Sequence, residues 1–154
     1  MAGAIIELDL RQLADLSAAI ARYEQLVAAP EPLLDTIGQL LANSTEKRFD
    51  ERTAPDGTPW APVSEDYARR KQAGRATKRS AVVSDPGQVL ELTLDLRRLV
   101  RHQVVGDELL VGSDRPYAAT HQFGRGGIPA RPFLGVSPED EREIGQIVRH
   151  YLQL

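Results

Sequence analysis

The sequence predicts an α+β fold in which an N-terminal helical hairpin and a C-terminal helix pack on a small antiparallel β-sheet, with a long mobile basic loop. Apolar residues recur every three or four positions in two N-terminal segments and in the last segment. Two β-prone runs flank Gly106 and Asp107, a pattern typical of a hairpin. Ser137 and Pro138 offer an N-cap and a first helical residue. The length of 154 residues predicts a single domain over positions 1–154.

Composition limits the classes of function that the chain could have. Aromatic residues make up 5% of it, so the core is expected to rest mainly on Leu, Ile, Val and Ala. The absence of cysteine excludes disulfides, cysteine-based zinc sites and a thiol nucleophile. The net charge of −3 means that the chain, taken as a whole, is not expected to bind polyanions. The sequence has no basic leader and no apolar run of roughly 18 residues, so neither a signal peptide nor a membrane partner is expected.

The N-terminal part is predicted to contain a strand and two helices. Residues 4–10 alternate in part between apolar and polar side chains, which predicts a short strand. The first helical stripe follows, with Leu13, Leu16, Ile20, Tyr23 and Val27 on one face. Pro30 ends this helix, and a second helix is predicted from near Pro32 toward Arg52, with the stripe Leu33, Ile37, Leu40, Leu41, Ser44 and Phe49. The short break predicts that the two helices pack together as a hairpin.

The turn after the second helix is rich in residues that fix the backbone. Asp56 and Gly57 favour a tight turn, and Pro59 precedes Trp60, the sole tryptophan. Trp60 either anchors this turn on the helical hairpin or forms an interface hot spot. Anchoring is favoured, because a lone tryptophan normally buries a large area. Trp60, Asp56 and Gly57 are therefore predicted to be fold anchors.

A basic segment comes next. Ser64 and the acids behind it predict a short helix to about Gln72, while residues 68–88 are assigned overall to a flexible loop. Six basic residues and no acid lie between positions 68 and 80: Arg69, Arg70, Lys71, Arg75, Lys78 and Arg79. They could contact DNA phosphates without sequence specificity. The alternative is a solvated loop that folds only against a partner protein.

The C-terminal part combines short elements with one longer helix. A helix is preferred over a strand for residues 92–101, and the hairpin is expected within residues 103–112. Residues 116–123 are predicted to form a short helix, followed by a flexible loop at residues 124–127. The final helix begins at the Ser137 cap, with the stripe Ile144, Ile147, Val148 and Tyr151.

No arrangement of residues typical of catalysis is found. His102, His121 and His150 are isolated from one another and form no metal-ligand spacing, so His121 is interpreted as a packed or interface histidine. The glycine-rich residues 124–127 lack the ending of a phosphate-binding loop, and Ser113 with Asp114 has no triad partner nearby. The sequence therefore predicts a protein that is not an enzyme and has no metal or other cofactor.

Two further segments are more constrained than a plain domain requires. They read Tyr-Ala-Ala-Thr-His-Gln-Phe-Gly at residues 117–124 and Ile-Pro-Ala-Arg-Pro-Phe-Leu-Gly at residues 128–135. In the second, Arg131 lies in an extended stretch before a proline, where its planar guanidinium suits bidentate pairing with a carboxylate. That carboxylate could belong to this chain, orienting the loop before the last helix, or to a neighbouring subunit.

Together with Asp-Gly-Thr-Pro-Trp at residues 56–60, these motifs resemble the bacteriophage virion-morphogenesis, or tail-completion, family of Mu-like and related contractile-tailed phages. The resemblance covers roughly residues 49–135 and is weaker in the flanking helices. One departure is visible before the hairpin, where the family tends to have Thr-Gly-x-Leu. Residues 93–96 read Thr-Leu-Asp-Leu and lack that glycine.

The resemblance implies a structural protein of the head–tail junction, or neck, that completes or terminates the tail or joins it to the head. It implies assembly with itself as a ring, with six-fold order suggested, and contacts with other phage neck or tail proteins. Such a subunit is made in the host cytoplasm and ends in the virion. The predicted subunit interface comprises Tyr117, His121, Gln122, Phe123, Arg131 and Phe133.

Two alternatives remain beside this interpretation. The first is that, in a ring, the basic loop lines the lumen and touches packaged DNA. The second is a different function, that of a DNA-proximal nucleic-acid-binding protein that uses the basic loop. A regulator of that kind would use the same residues, but no helix-turn-helix signature is found and the overall charge is acidic. A small hydrolase would need the catalytic arrangement that is missing.

Overall fold

The computed structural model describes residues 10–75, 89–90 and 95–152. The described residues form six helices and two strands: α1 (Leu10–Ala28), α2 (Glu31–Glu51), α3 (Glu65–Gln72), α4 (Asp95–Arg98), β1 (Val100–Val105), β2 (Glu108–Ser113), α5 (Ala118–Phe123) and α6 (Pro138–Leu152). The predicted α+β class is confirmed, with helices from both ends of the chain flanking a small sheet. The predicted strand at residues 4–10 lies outside the described residues except for Leu10, which begins α1.

The hairpin confirms the sequence prediction and packs on α2. β1 and β2 are antiparallel, with partners running from Val100↔Ser113 to Val105↔Glu108. The turn between them is possible because Gly106 adopts φ 65°, a left-handed conformation that glycine reaches without strain. The ring of His102 lies so close to α2 that a Cβ on Gly38 would approach its Cδ2 to 2.5 Å. Glycine inside α2 therefore lets the hairpin approach closely.

The preferred helix over residues 92–101 is wrong in its second half. Helix α4 ends at Arg98, and β1 begins at Val100. From that point side chains alternate between partly buried and exposed, because β1 has α2 on one face and open surface on the other. Pairing with β2 therefore overrides the local helical pattern. Residues 92–94 lie outside the described residues.

Helix α3 confirms the predicted short helix to about Gln72 and includes the first residues of the range assigned to a flexible loop. Ser64 Oγ accepts a hydrogen bond from the Tyr67 N–H and caps α3, which then continues to Gln72. Residues 68–72 are thus helical, with acids in the first turn and bases in the last, as the helix dipole favours. Residues 76–88 lie outside the described residues.

Helix α1 forms as predicted and contacts α6, where Arg22 Nη1 donates to the Leu152 carbonyl at 3.2 Å. The three residues of its predicted apolar stripe whose exposure the structure describes are more than half exposed. The exposed fractions are 51% for Ile20, 59% for Tyr23 and 63% for Val27. The predicted helix is confirmed, but α2 does not cover Ile20, Tyr23 and Val27 as a packed hairpin would.

The core lies where α2 ends, between the turn at residues 54–60 and the extended segment at residues 131–134. Three aromatic rings meet there: the Phe49 ring centroid is 5.3 Å from that of Trp60 and 5.7 Å from that of Phe133. Val89 and Leu96 belong to the same buried cluster. Although aromatic residues are few, three of them form the centre of the core, which was expected to rest mainly on Leu, Ile, Val and Ala.

Helix α6 begins with the cap that the sequence predicts. Ser137 Oγ accepts from the Asp140 N–H at 3.1 Å, and Asp140 Oδ2 accepts from the Ser137 N–H at 2.7 Å. This reciprocal pair is a capping box, which satisfies two otherwise unpaired donors at the helix start. The cap fixes the start of α6 at Pro138, shortly after the extended segment at residues 131–134.

Candidate subunit-interface site

The extended segment at residues 131–134 is the centre of the site, and distant groups satisfy its backbone. The Arg131 N–H donates to the His121 carbonyl at 2.7 Å. The Pro132 carbonyl accepts from Trp60 Nε1 at 2.8 Å, and the Phe133 carbonyl accepts from Arg48 Nη1 at 3.0 Å. A buried segment outside a sheet needs such partners, because an unpaired backbone group is costly to bury.

Gln122 provides the remaining backbone bonds through one side-chain amide. Its Oε1 accepts from the N–H groups of Phe133 and Leu134, both at 3.0 Å, and its Nε2 donates to the Leu134 carbonyl at 2.9 Å. The side-chain amide thus bonds the extended backbone as a neighbouring β-strand would, because it carries an acceptor and a donor side by side. These bonds join the two motifs, since Gln122 lies in the first and residues 133–134 in the second.

Arg131 has its partners inside this chain. Its Nε donates to the Ala61 carbonyl at 2.7 Å, and its Nη2 donates to the Pro62 carbonyl at 2.9 Å. Of the two options left open by the sequence, the internal one is observed, with two carbonyls in place of a carboxylate. Burial lowers the pKa of Arg131, but a guanidinium remains protonated in proteins.

Two predicted interface residues need correction. Arg131 and Phe133 are buried in the described chain, Phe133 completely. Arg131 is held by the carbonyls that follow Trp60, and Phe133 packs on Phe49. Their side chains therefore support the fold and are not exposed for a neighbouring subunit.

His121 is half-buried beside the Tyr117 ring, with the ring centroids 6.1 Å apart. Burial, followed by the positive charge of Arg131, lowers the pKa of His121. Its buried Nδ1 has no hydrogen-bond partner among the described residues. At neutral pH this histidine is therefore an uncharged packing residue at the edge of the core.

Phe123 is the most exposed of the predicted interface residues. It ends α5, and 79% of its surface is exposed. Directly after it the chain reverses, because Arg125 and Ile128 form an antiparallel bridge. We call residues 123–128 the Phe123 turn. Ile128 and Tyr117 are exposed as well.

The Phe123 turn has a well-defined backbone. Gly124 adopts φ 76°, and a Cβ there would lie 2.9 Å from the Ala130 nitrogen and 3.0 Å from the Ile128 oxygen. Glycine is therefore required by both the backbone angle and the close approach. Next to it, Gln122 binds the 133–134 backbone, so the exposed phenylalanine is presented from a fixed support.

Residues 8–153 match the sequence profile of the phage virion morphogenesis family. The chain belongs to this family. The resemblance drawn from the motifs is therefore confirmed, and the match extends well beyond residues 49–135.

The chain is also similar to several named phage and prophage proteins, which supports this family assignment. It is 27% identical to Mu-like prophage FluMu G protein 2 of Haemophilus influenzae, over 97% of this chain and 98% of that protein. It is 34% identical to the putative capsid assembly protein G of Escherichia phage Mu, over 71% of this chain and 70% of that protein. It is 27% identical to the tail completion protein S of Escherichia phage P2, over 76% of this chain and 80% of that protein. No solved structure matches the chain significantly.

The third motif of this family member, around Asp56 and Gly57, also supports the 131–134 region. Asp56 Oδ1 accepts from the Thr58 N–H at 2.9 Å, and this bond lowers the pKa of Asp56. Gly57 adopts φ 82°, which closes the turn. On its outer side, Pro55 packs on Gly135, where a Cβ would lie 2.7 Å from the proline Cγ. All three motifs therefore meet around one extended segment.

The predicted basic surface is not assembled in the described residues. Lys71 is 1% exposed, so it is removed from the candidate DNA contacts. Arg70 Nε pairs with Asp66 at 3.2 Å, while Arg69 and Arg75 are exposed. Lys78 and Arg79 lie outside the described residues. Contact with DNA stays a prediction.

Sequence reasoning missed Arg48, which binds the Phe133 carbonyl and pairs with Asp140. The available signal was polar residues on the buried face of α2, where Ser44 and Arg48 sit one turn apart among apolar neighbours. Such a pattern indicates a buried polar network. Its partners could not be identified from α2 alone.

The described part of this family member contains neither a metal cluster nor a membrane-spanning helix. No group of three or more His, Asp or Glu side chains there could hold a metal ion. Two shallow depressions lie along α6, and neither is lined by His121 or Arg131. In the same residues, no helix combines the length and apolar character needed to cross a bilayer.

Proposed function

We propose that this virion morphogenesis protein is a structural subunit that assembles with copies of itself as a ring at the head–tail junction. There it completes or terminates the tail, or joins it to the head, without catalysing a reaction. The observation that carries the proposal is Phe123, a large apolar side chain 79% exposed on a segment fixed by Gln122. A large aromatic residue presented to solvent from a rigid support is typical of a protein contact.

The names of the relatives favour the junction over other places in the particle. The phage Mu relative is named for capsid assembly, and the phage P2 relative is named for tail completion. A subunit between head and tail would touch both structures, so one position accounts for both names. Its partners would then be copies of itself and other neck or tail proteins. It would be made in the host cytoplasm and become part of the virion.

Phe123→Ser tests the contact in the phage that encodes the chain. Phe123 makes no described contribution to the core, so the variant should fold, while particle completion should fall sharply. Electron microscopy would then show separate filled heads and tails. Val105→Ser is the matched control, because Val105 is an exposed apolar residue at the tip of the hairpin. Normal particles with Phe123→Ser would contradict the proposed contact.

The location is tested separately with antibodies against this chain. Gold labelling of intact particles is expected at the head–tail junction. Labelling confined to the capsid shell or to the far end of the tail would overturn the proposed position.

A further inference from the structure

A closed ring needs two different surfaces on each subunit, because every contact joins one face of a copy to another face of the next. The Phe123 turn supplies one such surface. Helix α1 supplies a candidate for the other, since Ile20, Tyr23 and Val27 are all more than half exposed. Their spacing of three and four residues places them on one side of the helix. We call these three residues the α1 stripe.

The α1 stripe has the form of a contact surface. Arg22 holds the helix to the end of α6, while the three apolar side chains remain uncovered by the described part of the chain. Alternating steps of three and four residues give a narrow seam, which accepts inserted side chains from a partner. Scattered apolar residues on a surface are ordinary, but an aligned set of three is unusual.

The charges beside the two surfaces are opposite. Between Ser17 and Ala28 the charged residues are Arg22, which binds the Leu152 carbonyl, and Glu24, which is exposed next to Tyr23. In the Phe123 turn the charged residue is Arg125, which is also exposed. Neither Glu24 nor Arg125 forms an ion pair within the described residues. The acid beside one surface and the base beside the other are thus available for a partner.

We propose that the Phe123 turn of one copy docks on the α1 stripe of the next copy, with Arg125 facing Glu24. This inference rests on the proposed ring and names its contact. One head-to-tail contact would cover both exposed apolar surfaces. Pairing of α1 with α1 of a second copy would cover the stripe but leave Phe123 in solvent. The opposite charges also favour the head-to-tail arrangement, since complementary rims guide partners into register.

Mixing two defective variants tests the head-to-tail arrangement. One variant carries Ile20→Ser and Tyr23→Ser, and the other carries Phe123→Ser, all at exposed positions. Analytical ultracentrifugation should find wild-type rings and monomers of each variant alone. An equimolar mixture should form heterodimers and stop there, because only one intact contact remains. A mixture that stays monomeric would overturn the proposal, as would Phe123→Ser forming dimers alone.

A charge exchange tests the pairing of Glu24 with Arg125. Glu24→Arg alone and Arg125→Glu alone place like charges together, so ring formation should need at least about tenfold more protein. A chain with both substitutions should assemble about as well as the wild type. A double variant no better than either single variant would contradict the pairing. If the wild-type chain stays monomeric even when concentrated, both this contact and self-assembly as a ring fail, whereas junction labelling of particles would still support the proposed location.

Discussion

Arg48 and Asp140 form an ion pair in which each side chain is only 5% exposed, joining α2 to the first turn of α6. Arg48 also donates to the Phe133 carbonyl, and Asp140 also accepts from the Ser137 N–H. Burial alone would raise the pKa of Asp140. Hydrogen bonds from Ser44 and Ser137, together with the charge of Arg48, outweigh burial and hold that pKa below its ordinary value. One pair thus connects the core helix, the extended segment and the last helix.

Removing one member of this pair should be strongly destabilising. Arg48→Met would leave a buried carboxylate without its partner, and we expect a loss of about 3–5 kcal/mol in the free energy of unfolding. Lys47→Ala is the matched control, because Lys47 pairs with Glu139 across the same two helices but in solvent. That change should have little effect on the free energy of unfolding, because solvent screens the pair. Urea denaturation measures both, and equal losses would contradict the role assigned to Arg48.

The pKa of Asp140 predicts sensitivity to acid. Because the native pKa is lowered, the ionised form stabilises the fold above the unfolded value of about 3.9, and this contribution is lost as pH falls below it. Asp140→Asn should be less stable at neutral pH and should lose less stability on acidification than the wild type. Parallel pH profiles for the two proteins would count against this assignment.

His121 predicts a second pH dependence at higher pH. Its native pKa is lowered, so below the ordinary value of about 6.5 the unfolded chain binds a proton that the folded chain does not. Stability should therefore fall as pH drops from neutral toward 5, and His121→Gln should reduce that slope. Thermal unfolding at a series of pH values provides the measurement; an unchanged slope in the variant is the contrary result.

Gln122 should matter far more than an exposed glutamine. Gln122→Ala leaves the N–H groups of Phe133 and Leu134 and the Leu134 carbonyl without their partner, at an expected cost of about 2–3 kcal/mol. Gln103→Ala on the outer face of β1 is the control and should be nearly neutral. Hydrogen exchange should also show faster exchange at the amides of residues 133 and 134. Protection that survives in Gln122→Ala would refute the amide's role.

The candidate contact with packaged DNA gives a prediction for Arg69 and Arg75, which are both exposed. Replacing Arg69 and Arg75 with Gln should reduce salt-dependent retention of the protein on duplex DNA. Replacing Lys71 instead should affect folding, because that side chain is buried. Unchanged retention of the Arg69/Arg75 variant would contradict the DNA contact and favour the alternative of a solvated loop.

Local signals in the sequence predicted the elements well. The Ser137 cap, the Gly106 turn and the break at Pro30 each act within a few residues, so their geometry follows from residue type. The partners of the site did not follow in that way. Arg131 binds backbone carbonyls, which every residue has, so no pattern of side chains could reveal them. The uncovered side of α1 also escaped prediction, since amphipathic spacing predicts a contact without saying whether its partner lies in the same chain.

The way in which side chains bond the backbone of residues 131–134 has a consequence for aggregation. An extended segment normally exposes a row of donors and acceptors to which a foreign strand can add, and that addition starts aggregation. In this chain, Gln122, Trp60 and Arg48 occupy those groups with side chains. This segment is therefore not available as a template for strand addition by other chains.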